Sequence, residues 1–313
     1  MSEIITVCIP TFNRSEKLVK ALASVLSVSH SDLRVIVYDN CSDDDTWEEL
    51  KKIEDNRLSV FRQEYNKGFC RNLIDVVSKA QSKYIYLLSD DDIIEPSYID
   101  EILSNNFLSK NEIGLIYSSI YDSHNESYYL KYKDNEIDAS SIGKVLFKHS
   151  YMTGMLLNKD AIDFEFIEQL LEEERNLLYP HEIMVFTILA QGYKSFTHSD
   201  ISCYQGIPGK SYIVDECAYY FFRERVKLIE MYKRMIDGYA LTSSQKRESY
   251  KSLANFSAYF LLKKSPLIWG DCNRTRNRFS YFISISKLQG FSHFFLLSLI
   301  KRSMITLYKK AIN

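Results

Sequence analysis

Four short apolar runs near the start of the chain, Ile4–Pro10, Leu33–Tyr38, Leu58–Arg62 and Tyr84–Leu88, are separated by stretches whose apolar residues recur at helical spacing. That alternation leaves few folds open. Strand and helix in steady succession build βαβ units, hence a parallel sheet with right-handed crossovers and helices on its faces. Ile4–Pro10 is apolar almost throughout, as a parallel strand covered on both faces must be. Between Glu16 and Val28, Leu18, Leu22, Val25 and Leu26 line one helix face. Ser42 and the acids after it open a helix expected to reach Ile53, and another is expected over Phe69–Ala80.

Each run opens into a loop with useful polar groups. Thr11, Asn13 and Arg14 follow the first, Asp39 ends the second, Arg71 follows the third, and Asp90, Asp91 and Asp92 end the fourth. In a parallel sheet these loops share the carboxyl edge, where ligands of open α/β sheets bind. A nucleotide diphosphate fits such an edge, with a carboxylate toward base or ribose and cations toward phosphates. Three adjacent carboxylates repel one another. A hard divalent cation held by one or two of them and by phosphate oxygens would compensate. The same acids also suit a solvated turn before the helix that Pro96 opens. Taken singly, Asp39 suits an Asx turn and Arg71 a solvated helix face. No Gly-x-Gly-x-x-Gly follows the first strand and no Gly-Lys-Ser/Thr phosphate loop occurs, which argues against a dinucleotide dehydrogenase and a P-loop NTPase.

The segments Val7-Cys8-Ile9-Pro10-Thr11-Phe12-Asn13-Arg14, Val37-Tyr38-Asp39-Asn40-Cys41-Ser42-Asp43-Asp44, Asn66-Lys67-Gly68-Phe69-Cys70-Arg71-Asn72 and Leu87-Leu88-Ser89-Asp90-Asp91-Asp92 resemble, in order and spacing, the four signature segments of family 2 glycosyltransferases of GT-A fold. The Asp-Asp-Asp variant and the short Gly-to-Arg spacing are most similar to the abequosyltransferase-like branch, which builds bacterial surface polysaccharides. The resemblance is specific over residues 4–105, weaker to 205 and absent beyond. It implies a Rossmann-like, mostly parallel sheet flanked by helices, and inverting sugar transfer from a nucleotide-diphosphate sugar with Mn²⁺ or Mg²⁺. It places Pro10, Thr11, Asn13 and Arg14 along the nucleotide, Asp39 on the base, Arg71 near base or phosphates, Asp90 near the ribose, and Asp91 or Asp92 on the metal. UDP is the default nucleotide because it is the commonest in the family. One departure stands out: Ser89 occupies the place of the usual first Asp, which leaves open which two of the three acids act, with Asp91 favoured for the metal.

The second half is expected to hold the acceptor site and the base. Tyr151–Leu157 reads as a strand interrupted by Gly154, either a bulge or a close backbone approach to the donor sugar. Tyr179-Pro180-His181-Glu182 then opens an apolar helix ending at Gly192-Tyr193. In relatives an acidic pair precedes such a Gly-aromatic step, and its second acid is the base. By that match Glu182 is favoured as the base that takes the acceptor proton, with His181 as the rival, since an imidazole titrates near neutrality. A first-turn dipole partner is the ordinary use of Glu182.

Composition bears mainly on the tail. Of 39 bases in the 313-residue chain, eight (Arg274, Arg276, Arg278, Lys287, Lys301, Arg302, Lys309, Lys310) lie from Cys272 onward, without one acid; residues 1–271 hold the other 31 bases against 41 acids. Tyr219–Gly238, Ser243–Lys264 and Arg278–Lys310 show helical spacing. The apolar Phe291–Ile300 stretch is too short to span a bilayer. It suits either a helix packed on the catalytic domain or an amphipathic helix on anionic lipid, so residues 288–313 are expected to meet an anionic membrane surface. No nucleic-acid motif supports the other use of a basic tail. Residues 1–210 are thus expected to form the catalytic domain, 1–105 for the nucleotide sugar and 106–210 for the acceptor, with 211–313 a helical C-terminal extension. Six scattered Cys without a Cys-x-x-Cys pair, and a strand starting almost at the N-terminus, point to reduced thiols and no signal peptide. That predicts a cytoplasmic protein, peripheral at the inner face of the cytoplasmic membrane. Trp47 and Trp269 follow Thr46 and Ile268, so the Gln-x-x-Arg-Trp motif of processive synthases is missing. Two classes remain: a transferase adding one sugar to a lipid-linked or polymeric glycan, and a non-catalytic nucleotide-sugar-binding assembly protein, which only the unusual His181-Glu182 pair favours.

Overall fold

The structure, a computed structural model, describes residues 5–104, 107–108, 112–137, 151–173, 179–206, 218–262, 274–288 and 290–312. The chain divides into two compact units, Met1–Ala139 with Ser150–Gly209, and Ser140–His149 with Lys210–Asn313.

The first unit opens with the expected alternation: β1 (Ile5–Thr11), α1 (Ser15–Leu26), β2 (Leu33–Asp39), α2 (Thr46–Leu50), β3 (Leu58–Arg62), α3 (Gly68–Lys79) and β4 (Tyr84–Leu87). β3, β2, β1 and β4 lie side by side and all parallel. Next come β5 (Ile93–Ile94), α4 (Pro96–Ser104), β6 (Ile113–Asp122), β7 (Ser127–Leu130), β8 (Asn135–Ile137), β9 (Met155–Asn158), α5 (Phe164–Glu173), α6 (Pro180–Ala190) and β10 (Lys194–Gln205). The sheet runs β3-β2-β1-β4-β9-β6-β10-β5, with β7 on β6 and β8 on β10. β9 enters antiparallel between β4 and β6 and so joins the two halves.

Strand alternation sorts the core. Ile5, Val7 and Ile9 of β1 join Leu18, Leu22 and Val25 of α1 and Ile99 and Ile102 of α4 in one buried cluster. On the other face, Cys8 Sγ reaches the Val76 carbonyl of α3. A truncation such as Leu22→Ala in this cluster costs about 2–5 kcal/mol. α6 is buried at every position, which explains why its sequence is apolar without an amphipathic period.

Two expectations need correction. α2 stops at Leu50, short of Ile53. Gly154 does not interrupt a strand: it precedes β9 with φ +86, a left-handed turn natural to glycine. The stretch of helical spacing over Arg278–Lys310 falls into two helices, α9 (Arg274–Ser286) and α10 (Ser292–Ile312), with Gly290 at φ +74 between them.

The second unit also holds α7 (Ala218–Gly238) and α8 (Ser243–Leu262). Inside it, Leu228, Tyr232 and Met235 of α7, Leu253 and Ala254 of α8, Tyr281 of α9 and Phe295 of α10 are buried. Among the described residues, no helix is long and apolar enough to cross a membrane. Cys217, Cys272 and the expected helix end at Lys264 lie outside the described residues.

Candidate active site

The four loops meet at the carboxyl edge of the parallel strands and are laced together. Thr11 pairs in register with Asp39, and the Asn40 amide donates to the Thr11 carbonyl at 2.9 Å. Asn13, in the left-handed region at φ 54, accepts from the Asp43 amide at 2.9 Å while its own amide donates to Ser42 Oγ. The Arg14 amide donates to Thr46 Oγ1. Asn40 reaches the third loop, accepting from the Lys67 amide at 2.9 Å and donating to Asn66 Oδ1 at 2.8 Å. Thr11 Oγ1 donates to Asp90 Oδ2 at 2.8 Å, which joins the first loop to the fourth. Pro10 is buried in β1 beside Tyr38.

The three acids have three different surroundings. Burial, reinforced by the Asp91 charge, pushes the Asp90 carboxyl up to about 7 against the Thr11 hydroxyl and the Arg14 charge. Asp91, like Asp90, is partly exposed. Its side chain keeps 19% of its surface, Arg14 Nη1 lies 3.8 Å and Lys17 Nζ 3.6 Å from Oδ2, and Ser89 Oγ donates to Oδ1. Asp92 is wholly buried. Tyr151 OH and the Gly206 amide donate to Oδ1 and Thr153 Oγ1 to Oδ2, yet burial still pushes its carboxyl up to about 6. With both oxygens engaged inward, Asp92 props the loop from beneath.

Asp39 is also wholly buried. Oδ1 accepts from the amide and hydroxyl of Ser42. Oδ2 accepts no hydrogen bond, although Arg62 Nε stands 3.2 Å away as an ion pair. A buried carboxylate oxygen that accepts no hydrogen bond still favours a donor brought to it. Arg71 is held by two other carboxylates: Nε donates to Asp75 at 2.7 Å and Nη1 to both Glu168 oxygens at 2.8 and 2.7 Å. His181 and Glu182 sit in the first turn of α6, 2% and 1% exposed. Burial first and then the Glu182 charge raise the Tyr117 phenol of β6.

Sequence alone does not single out Lys17, Arg62, Thr153 and Gly206, and it marks Ser42 only as a helix cap. Lys17 had a signal, since one turn beyond Arg14 on α1 it points the same way. The others meet their partners only through long-range folding.

No group of three His, Cys, Asp or Glu among the described residues gathers into a closed cation cage. A divalent ion shared with a diphosphate needs none, because phosphates and water complete its shell. Partly exposed, oxygen-only Asp91 at the sheet edge fits that chemistry.

A family model for "Glycosyl transferase family 2" matches residues 6–166. The chain is 26% identical over 121 residues to an Escherichia coli UDP-Glc:alpha-D-GlcNAc-diphosphoundecaprenol beta-1,3-glucosyltransferase, WfaP, covering 38% of this chain and 47% of that protein. It is 29% identical over 188 residues to the abequosyltransferase RfbV of Salmonella typhimurium, covering 52% and 56%. The chain thus spans about half the length of these curated relatives. Among solved structures, S. aureus TarS 1–349 in complex with UDP-GlcNAc superposes with a TM-score of 0.64 at 14% identity, over 98% of this chain and 92% of that one, a likeness of fold.

Proposed function

The chain belongs to glycosyl transferase family 2, and from that premise we propose that it transfers one sugar, with inversion, from a UDP-sugar to a hydroxyl of a lipid-linked or polymeric surface glycan. The observation that carries this reading is the lacing of four loops at one sheet edge, which leaves Asp91 partly exposed beside Arg14 and Lys17 and Asp39 Oδ2 with no hydrogen bond. Asp39 accepts a ring N–H of the base, a donor that uracil offers and N3 of cytosine does not. The Thr11–Asp90 pair lies along the ribose side. Arg14 and Lys17 face the diphosphate, and Asn13 fixes the loop that carries them. Arg71 exchanges Glu168 for base or phosphate. UDP in a complex of similar fold supports the choice of base.

Asp91 would hold Mn²⁺ or Mg²⁺, which when bound would supply charge neutralisation for the departing diphosphate. Asp92, Thr153, Tyr151 and Gly206 keep Asp91 in position. Glu182 removes the acceptor proton as the hydroxyl attacks the anomeric carbon opposite the leaving group, and His181 beside it is the alternative base. The catalytic region is 1–210, and 211–313 is a helical extension.

The second unit meets an anionic membrane surface. On α10, Leu297, Ile300 and Met304 are 62%, 58% and 65% exposed at one-face spacing, while Phe295 is buried. Lys301 and Arg302 follow, and the side chains of Lys309 and Lys310 lie outside those described. Such a face beside bases suits the interface plane, and a lipid-linked acceptor lies there.

Melting the protein with UDP, GDP, CDP and dTDP, each with and without Mn²⁺, tests this function. UDP with Mn²⁺ is expected to raise the midpoint, by the equivalent of about 2.7 kcal/mol at a hundredfold excess over Kd. No shift with any of the four would move the assignment to another function.

A further inference from the structure

Of the large apolar side chains of the first unit, few stand exposed, and two of those, Tyr128 at 40% and Tyr129 at 43%, are adjacent on β7. Neighbours on a strand point to opposite faces, and each of these tyrosines joins its own cluster. Tyr128 pairs in register with Tyr121 of β6, and Tyr121 pairs in register with Tyr204 of β10. Register partners share a sheet face, so three tyrosines form a row across three neighbouring strands. Their rings meet edge to face, at 5.6 Å and 85° for Tyr121–Tyr128 and 6.3 Å and 79° for Tyr121–Tyr204.

The row ends at the acid loop. Tyr204 pairs with Ile93, the residue after Asp92, and its hydroxyl donates to Glu95 at 3.0 Å. Two residues further, Gly206 lies against the backbone of Asp91. On the opposite face Tyr129 packs on Tyr151 at 4.8 Å, and Tyr151 donates to Asp92. Both faces of the β6–β7 hairpin are therefore tied to the loop that would carry the metal. Tyr121 and Tyr204 are only partly buried, so the row is not core. A solvent-facing sheet surface ordinarily carries polar or charged side chains, not a row of three aromatic rings.

We propose that Tyr204, Tyr121 and Tyr128 form the acceptor platform, taking the C–H face of a pyranose ring of a saccharide acceptor. This rests on the transferase reading above and adds the acceptor subsite to it. The axial C–H bonds of a sugar carry partial positive charge and meet the negative face of an aromatic ring, while the sugar hydroxyls stay at the rim in water. Tyrosine suits the task because it offers a large rigid apolar body with a polar tip at little cost in side-chain entropy. Two strand spacings set the row at about 10 Å, which extends it beyond a single ring. The Lys131 ammonium lies 4.5 Å from the Tyr128 ring centre. It covers one face of that ring and reaches hydroxyls of a sugar docked beside it.

The test uses saturation-transfer NMR on the full chain with methyl β-glycosides of glucose, galactose, N-acetylglucosamine and rhamnose as probes. Ring C–H protons of at least one glycoside are expected to receive saturation from the wild type. Tyr128→Ala and Tyr121→Leu should each weaken that signal about fivefold, and Tyr128→Trp should preserve it. Absence of saturation with all four glycosides, or signals unchanged in both variants, would overturn the platform. The Mn²⁺-dependent melting shift with UDP, recorded on the same samples, separates the causes. A wild-type shift without glycoside signal sinks only the platform, whereas loss of both sinks the transferase reading beneath it.

Discussion

Replacing Gly206 with alanine should disable the site from a position that never touches substrate. A Cβ on Gly206 would stand 1.6 Å from the Asp91 carbonyl oxygen and 2.6 Å from its carbon. These are backbone atoms, which cannot rotate aside. Real Cβ contacts essentially never fall below 3.0 Å, so the two segments must part by at least 1.4 Å, the difference between 3.0 and 1.6 Å. Overpacking of that kind costs about 1–3 kcal/mol. The same movement pulls the Gly206 amide from Asp92 Oδ1, 2.9 Å away, and a lost hydrogen bond to a buried carboxylate adds about 1.5–3 kcal/mol. Together these lower the melting midpoint by roughly 10 °C, at 2–4 °C per kcal/mol for a unit of this size. Displacing Asp91 by more than an ångström should also cost about 10²-fold in turnover. Differential scanning calorimetry reads the first effect and nucleotide release from the sugar donor reads the second. A Gly206→Ala protein that melts and turns over like the wild type would refute the close approach of residue 206 to the acid loop.

Three further outcomes follow from the same structure. Asp39→Asn puts an amide where a carboxylate would accept the base N–H, so calorimetric titration should find UDP binding about 10–100-fold weaker and its preference over CDP diminished; equal UDP affinity would remove Asp39 from base recognition. The Asp55 carboxyl is held below its usual value by hydrogen bonds from Arg57, whose guanidinium also caps the Leu26 and Val28 carbonyls at the end of α1. Its contribution, about 1 kcal/mol or less for a partly exposed pair near the surface, is present above the unfolded carboxylate pKa and is lost as pH falls through the lower folded one. Asp55→Asn should therefore melt below the wild type at pH 7 and converge with it in acid, and a constant gap across that range would contradict the pairing. Leu297→Glu with Ile300→Glu should abolish co-sedimentation with phosphatidylglycerol vesicles, and retained binding would show that α10 is not the contact.

The alternating order of the first half was legible because each strand and helix carries its own period, and the loop polarity followed from strand direction alone. The split in α10's run was not, since the apolar spacing continues through residues 287–291 and only the positive φ of Gly290 breaks it. Asp90, Asp91 and Asp92 look equivalent as residues. What distinguishes them is Thr11 and Arg14 from one loop, Lys17 from the helix after it, and Tyr151, Thr153 and Gly206 from segments 59 to 114 positions away. Burial of Asp92 therefore belongs to the folded chain. Gly206 carries no local mark either, because its need for glycine arises only when Asp91 lies against it.

The most direct measurement follows release of nucleotide diphosphate from UDP-, GDP-, CDP- and dTDP-sugars in the presence of Mn²⁺ and a lipid-linked glycan extract. The wild type should release UDP from a UDP-sugar, and EDTA and Asp91→Asn should each abolish that release. Glu182→Gln should keep the Mn²⁺-dependent melting shift with UDP but release none. Full release in EDTA, or by both variants, would contradict metal-assisted transfer at this sheet edge.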